Sequence, residues 1–279
     1  MKIGELERIA DPDLGAFEAY ARRGMPVIID GMARDWPALS WTVEHIERQC
    51  GGNDVYYEQY PDDRSRLGWW NFGHGKLSEY LQRMRRDEEV YITNADVGEY
   101  FPQLMGDLRL PPFISADRKL KLPKYRMFIG RAQRTEIHYH PGLQVILVHL
   151  HGAKRKIRLY PPSETPRLYP FRWYEQVQMS RVLPDREAEF PLFKEARYYE
   201  CDLDPGQGLF IPIHWWHWAQ SFSETIAVGL VFLRKLGDKF DLRLELRDRA
   251  SEAGESMLKL SPKLAAAWKR FAERSAFGA

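Results

Sequence analysis

The sequence predicts a mainly β protein with flanking helices, and three observations point there. From about residue 122 to about 235, proline and glycine cut the chain into short apolar stretches, spaced as in an antiparallel barrel or sandwich. Before that region helical and strand-like periodicities alternate. After it, from about residue 236, charged amphipathic helical spacing takes over.

The elements follow in order. Leu14, Phe17 and Tyr20 share one face of a helix predicted over Asp13–Arg23, and Gly24 is placed to stop it. Pro26–Ile29 is a short apolar strand turned by Asp30-Gly31. Trp41–Cys50 reads as a helix ended by Gly51-Gly52, and Val55–Tyr60 as a strand. Lys76–Arg86 is a helix with Leu77, Tyr80, Leu81 and Met84 on one face, followed by a strand at Val90–Thr93. The core strands are predicted at Tyr125–Ile129, Ile137–His140, Leu143–His151, Lys154–Tyr160, Arg197–Asp202, Gly208–Ile211 and Thr225–Leu233. Two helices, Phe240–Glu255 and Ser261–Ser275, close the chain, with Leu264, Trp268 and Phe271 on one face of the second. No repeat, low-complexity tract or linker divides the sequence, so one domain over residues 1–279 is expected.

Composition excludes several classes. Lys+Arg number 41 against 39 Asp+Glu, a net charge of +2. Proteins that live on phosphate contacts show a clustered basic excess, so no nucleic-acid footprint is expected. No apolar run reaches the roughly 18–20 residues that span a bilayer. The opening MKIGELERIADPDLG has acidic residues where a signal peptide would be apolar. Cys50 and Cys201 cannot build a disulfide framework, and neither has a His/Asp arrangement that would make it a nucleophile. A cytoplasmic protein is expected, with neither membrane nor nucleic acid as partner.

Two features remain to be explained. Aromatic residues make up 13% of the chain, and six of its eight histidines fall between positions 138 and 217. In a strand, residues two apart point to the same side, so His138 and His140 can reach one metal ion. His217 is the expected third ligand, beyond the strand entered by Asp204-Pro205-Gly206 and closed by Pro212. An HxH pair by itself is a weak signal; the second pair here, His149 and His151, is assigned to a strand end. His214 reads as a pocket-mouth or surface residue. Trp69-Trp70, Trp215-Trp216 and Trp218 read more readily as core packing than as a substrate wall.

The context of the first pair adds more. The order Tyr125-Arg126-Met127-Phe128-Ile129-Gly130, Thr135-Glu136-Ile137-His138, Gly152-Ala153-Lys154-Arg155 and Leu159-Tyr160-Pro161-Pro162 resembles the JmjC and cupin-like oxygenases. So do Gly206…Phe210-Ile211-Pro212…Trp215-Trp216-His217 and, in the lead-in, Pro26-Val27-Ile28-Ile29-Asp30-Gly31 and Asp35-Trp36-Pro37-Ala38. The resemblance runs from about residue 25 to about 235. It implies a double-stranded β-helix, the cupin jelly roll, over about 122–235. An N-terminal α/β lead-in (about 1–120) and a C-terminal helical segment (about 236–279) would flank it.

The resemblance further implies Fe(II) and 2-oxoglutarate, used to hydroxylate or demethylate proteins or small molecules. The family's ligand pattern is His-x-Asp/Glu with a distal His. His138 and His217 match its histidines, and His140 stands where the carboxylate belongs. A neutral imidazole there keeps the ligand count and leaves three coordination positions for a bidentate 2-oxo acid and oxygen. In the family, a Thr three residues before the first ligand and a basic residue after the glycine hold the distal carboxylate of 2-oxoglutarate. Thr135 and Arg155 fit those places. Alternation puts Arg155 on the apolar face with Ile157 and Leu159, and Lys154 or Lys156 takes the role if a bulge shifts the strand. If Arg155 is not such a ligand, it is expected to pair with a core Glu or Asp.

Gln144 is further expected near the co-substrate, and Tyr125 either there or in buried strand packing. The function implied is hydroxylation of a peptide, amino-acid or natural-product substrate. The rivals are a three-histidine dioxygenase without 2-oxoglutarate and a catalytically silent metal- or peptide-binding module. The C-terminal helices are expected to pack on their own barrel, with a homodimer interface as the alternative.

Overall fold

The computed structural model describes residues 1–59, 71–115, 118, 120–131, 134–171, 178–183 and 186–259, with Ser261, Lys263 and Ala267. In the lead-in, β1 (Lys2–Gly4), β2 (Arg8–Ala10), α1 (Leu14–Arg23), β3 (Val27–Asp30), α2 (Val43–Cys50) and β4 (Asp54–Gln59) come first. β5 (Asn71–Lys76), α3 (Leu77–Arg85), β6 (Val90–Asp96) and α4 (Val97–Tyr100) follow. The core holds β7 (Leu120–Arg131), β8 (Leu143–His151), β9 (Arg155–Tyr160), β10 (Tyr198–Leu203), β11 (Gly208–Ile211), β12 (Trp216–Gln220) and β13 (Glu224–Leu233). α5 (Leu242–Lys259) comes last.

The expected termini have physical causes. Asp13 caps α1 by accepting from the Ala16 amide at 2.7 Å. Gly24 ends that helix at φ 60°, where a side chain is disfavoured. The strands form two sheets, one of nine in the order β2-β3-β11-β8-β13-β7-β6-β4-β5 and one of four in the order β1-β10-β9-β12. Together they make the predicted jelly roll.

Alternation along β8 shows how the layers divide. Leu147 packs inward with Ile157 and Leu159 of β9 and Leu209 and Ile211 of β11. Ile146 and Val148 point outward, into a core shared with Phe17 of α1, Ile46 of α2 and Tyr80 and Met84 of α3. A third cluster lies outside the small sheet, where Tyr139, Tyr160, Trp216, Trp218 and Leu244 meet.

Several predicted boundaries change. Ile137–His140 is not a ladder strand; His138 makes single bridges to His217 and Met179. β1, β2, β5 and β12 were not expected. β12 exists because His217 pairs opposite Leu159 and Ala219 opposite Ile157 of β9, a long-range register with no local signature. α5 runs on to Lys259, past the predicted Glu255. Trp69-Trp70 and most of the predicted helix Ser261–Ser275, including Leu264, Trp268 and Phe271, lie outside the described residues. Among the described residues no helix is long and apolar enough to cross a membrane.

The turn between β8 and β9 depends on Gly152, at φ 107°. A β-carbon there would overlap the Glu224 carbonyl oxygen. Gly152→Ala is expected to destabilise the protein by about 1–3 kcal/mol, read as a lower midpoint in denaturant unfolding with an unchanged slope.

One buried charge network ties the layers together. The Arg118 side chain is fully buried. It donates to Glu18 of α1 at 2.7 and 2.9 Å and to Asp238, in the turn before α5, at 2.8 and 3.0 Å. Gln144, on the outward face of β8, donates to Asp238 at 3.0 Å.

Candidate metal centre

The chain segment at 135–138 lies antiparallel to β12. His138 and His217 exchange both backbone bonds, at 3.0 and 2.7 Å, so their side chains emerge on the same side. Thr135 extends the pairing, its amide donating to the Ala219 carbonyl at 2.9 Å. On the other edge, the Tyr139 amide donates to Gln178 and the Ser180 amide to Ile137. His140, two residues on, turns to the same side as His138.

The three imidazoles converge. Their ligand atoms lie within 4.8 Å of one another. Ring centroids are 4.2 Å apart for His138 and His217, and 4.7 Å for His140 and His217. Nδ1 of His138 is 2.9 Å from the Glu136 carbonyl, and Nδ1 of His217 is 3.1 Å from that of Trp215. A carbonyl only accepts, so each Nδ1 carries the proton and each Nε2 presents a bare lone pair. Nδ1 of His140 is buried with no hydrogen-bond partner. Burial pushes all three imidazoles down, His140 to about 3, with the neighbouring His138 adding to the push. They are therefore neutral near pH 7, the form that ligates metal. This donor set fits a divalent transition ion bound by three nitrogens.

His138 and His140 open onto a cavity of about 510 Å³, also lined by Thr135, Tyr91, Arg126 and Phe72, within the range of small-molecule sites. Thr135 is tied to β12, its hydroxyl oxygen accepting from the Ala219 amide at 2.9 Å.

Arg155 points inward, as alternation predicts, and is 3% exposed. It donates from Nη2 to the Tyr91 hydroxyl at 2.8 Å, while Nε and Nη1 have no partner. Its charge is among the causes that push His217 down. No carboxylate among the described residues pairs with it, so the alternative of a core ion pair is not found. Lys154 and Lys156 point outward instead, to Asp204 at 3.5 Å and Glu200 at 3.8 Å.

Two expected residues lie elsewhere. Gln144 faces away from the cavity between Leu143 and Val145, which line it, and bonds Asp238. Tyr125 is on the outward face of β7 with Met127 and Ile129, its ring against Trp36 at 6.2 Å, while Arg126 and Phe128 face the cavity. In both cases the period of two decides the side. His214 is neither at the mouth nor on the surface but fully buried. His149 is also fully buried, its Nε2 3.0 Å from the Ala153 carbonyl. Trp215 is buried in the inner cluster and Trp216 and Trp218 in the cluster outside the small sheet, as core packing predicts. Tyr91 was missed: it was read as part of an apolar strand. Its partner Arg155 comes from a distant strand, so the sequence carried no signal for their meeting.

Fold and site together define a cupin-like protein. The chain matches the Cupin-like domain family over residues 14–235 and belongs to it. Among curated relatives it is 29% identical over 216 residues to Lysine-specific demethylase 8 of Xenopus tropicalis, covering 73% of this chain and 47% of that protein. To Lysine-specific demethylase JMJ21 of Arabidopsis thaliana it is 24% identical over 246 residues, 83% of this chain and 26% of the relative. HSPB1-associated protein 1 of Rattus norvegicus is 28% identical over 242 residues, 73% of this chain and 48% of the relative. The chain spans about half or less of the length of these relatives.

Proposed function

We propose that this chain is an Fe(II)- and 2-oxoglutarate-dependent oxygenase that hydroxylates a carbon of a peptide or small-molecule substrate. The observation that supports it most is Arg155. A buried guanidinium with two unpartnered nitrogens costs several kcal/mol unless an anion joins it, and a dicarboxylate co-substrate supplies one. This favours the 2-oxoglutarate reading over a three-histidine dioxygenase that needs no such anion.

In this reading His138, His140 and His217 hold Fe(II), which supplies oxygen activation coupled to decarboxylation of the 2-oxo acid. Arg155, oriented by Tyr91, grips the distal carboxylate of 2-oxoglutarate through its fork of donors. Thr135 lines the cavity onto which His138, His140 and Tyr91, the partner of Arg155, open, and stiffens its wall through β12. Phe72 and Arg126 lie on the lining available to substrate. Two of the relatives are named lysine-specific demethylases, which supports a peptide substrate here, because removal of an N-methyl group begins with the same C–H hydroxylation.

The test is anaerobic reconstitution with Fe(II), followed by assays of bound iron, oxygen uptake and succinate. One iron per chain and succinate formed from 2-oxoglutarate are expected. His140→Ala is expected to weaken Fe(II) binding by at least ~100-fold, beyond what changes outside the ligand shell produce, and to abolish succinate release. Oxygen uptake without succinate would move the assignment to a 2-oxoglutarate-independent dioxygenase. Bound metal with neither would make the chain a silent binding module.

A further inference from the structure

Tyr139 lies between two of the three histidines, and alternation turns its ring the other way, out through the small sheet. It is fully buried there, edge-on to Trp216 at 4.7 Å. Its hydroxyl donates to Oδ1 of Asp248 on α5. His214, three residues before His217, is buried beside it, with the rings 5.6 Å apart and nearly perpendicular. Nδ1 of His214 accepts from the Asp241 amide at 3.3 Å, which leaves the proton on Nε2. That Nε2 is 3.3 Å from Oδ2 of Asp248. Glu245 Oε2 is 4.0 Å from the same Nε2. The Nε2 of His214 and Oδ2 of Asp248 are buried without a hydrogen bond, so their contact is one of close electrostatic approach. The His214 backbone sits at φ 66°, a left-handed conformation that costs on the order of 1 kcal/mol in a non-glycine residue and persists only where surroundings impose it. One carboxylate of the C-terminal helix therefore faces both segments that carry the histidines, 138–140 and 214–217.

We propose that Tyr139, Asp248 and His214 form a clamp through which α5 sets the spacing of the three metal-ligating histidines. It rests on the metal reading above and makes all three positioning residues, acting through the backbone of the ligands rather than on the reacting atoms. Aromatic packing alone would not call for it. A phenol, a carboxylate and an imidazole buried together are harder to desolvate than three apolar side chains of the same volume, whereas the directional Tyr139–Asp248 bond and the charge of Asp248 beside His214 serve to fix ligand geometry.

The test is Co(II) titration of the full chain, followed by its visible absorption bands, for the parent and for Tyr139→Phe, Asp248→Asn and the double variant. Each single variant is expected to weaken Co(II) binding about 10-fold and to shift the bands at saturation. The double variant should be no weaker than the poorer single, because both changes open the same clamp. Leu246→Ala, on the exposed face of α5, should change neither affinity nor bands. Affinities within about two-fold of the parent, in variants with the parent's circular dichroism, would overturn the clamp while leaving the metal site standing; so would losses that add. Should Asp248→Asn not fold, Tyr139→Phe decides alone, since it removes one hydroxyl and no carbon. A parent chain that binds no Co(II) overturns the metal reading and the clamp with it.

Discussion

Replacing Arg155 with methionine is expected to raise the 2-oxoglutarate concentration for half-maximal succinate release by about 30-fold or more. The same change should leave the ligand-free protein at least as stable as the parent. The two halves have one cause. Arg155 is 3% exposed, donates once, to Tyr91, and keeps two nitrogens without partners. In the empty protein its desolvation is uncompensated, so an apolar side chain of similar length is neutral or stabilising. In the complex, losing a buried charge-assisted contact costs about 2 kcal/mol or more, and 1.4 kcal/mol is tenfold in affinity. Arg155→Lys keeps the charge but not the planar fork, and should fall between. Succinate release against 2-oxoglutarate concentration, with thermal melts of the metal-free protein, checks both halves. A large drop in melting temperature with unchanged co-substrate dependence would make Arg155 a structural residue.

Arg118→Met is expected to have the opposite profile, a loss of about 3–5 kcal/mol in unfolding free energy with no direct effect at the metal site. Arg118 is fully buried between Glu18 and Asp238, and removing it strands two carboxylates. Burial alone would raise their pKa values. The Arg118 hydrogen bonds more than reverse this and hold both below the ordinary range. A depressed carboxyl contributes stability above its unfolded pKa of about 4 and loses it as pH falls through the folded value. The parent should therefore weaken on strong acidification. In Arg118→Met the sign reverses: the buried carboxyls titrate above their unfolded values, so stability is present at low pH and lost as pH rises. Denaturant unfolding at several pH values between about 2 and 8 reads both the magnitude and the sign; a flat profile in the variant would refute the account.

Much of the architecture was legible in the sequence because it depends on local rules. The helix beginning near Asp13, the stop at Gly24 and the run Leu143–His151 follow from side-chain chemistry and periodicity within a few residues. The same period of two set His138 and His140 on one side and Arg155 inward. Applied to Gln144, it would have placed that residue outward with Ile146 and Val148. Gln144 instead entered through resemblance, and the structure puts it on the far side of its strand; of the two readings of Tyr125, near the co-substrate or in buried packing, the structure bears out the second. β12 was missed for another reason. Its tryptophans read as core packing, which they are, but its strand state comes from pairing with β9.

The sequence by itself determined which residues can share a side and where helices begin and end; that His140 stands in the place of a carboxylate is what its resemblance to the cupin-like oxygenases implies. Tertiary structure decided which HxH pair meets His217, that Arg155 meets Tyr91 rather than an acidic partner, and that His214 is buried beneath α5. Alternation and capping are properties of a few consecutive residues and are fixed before the chain collapses. The approach of segments remote in sequence depends on sheet order and register, which the packing of the whole chain selects.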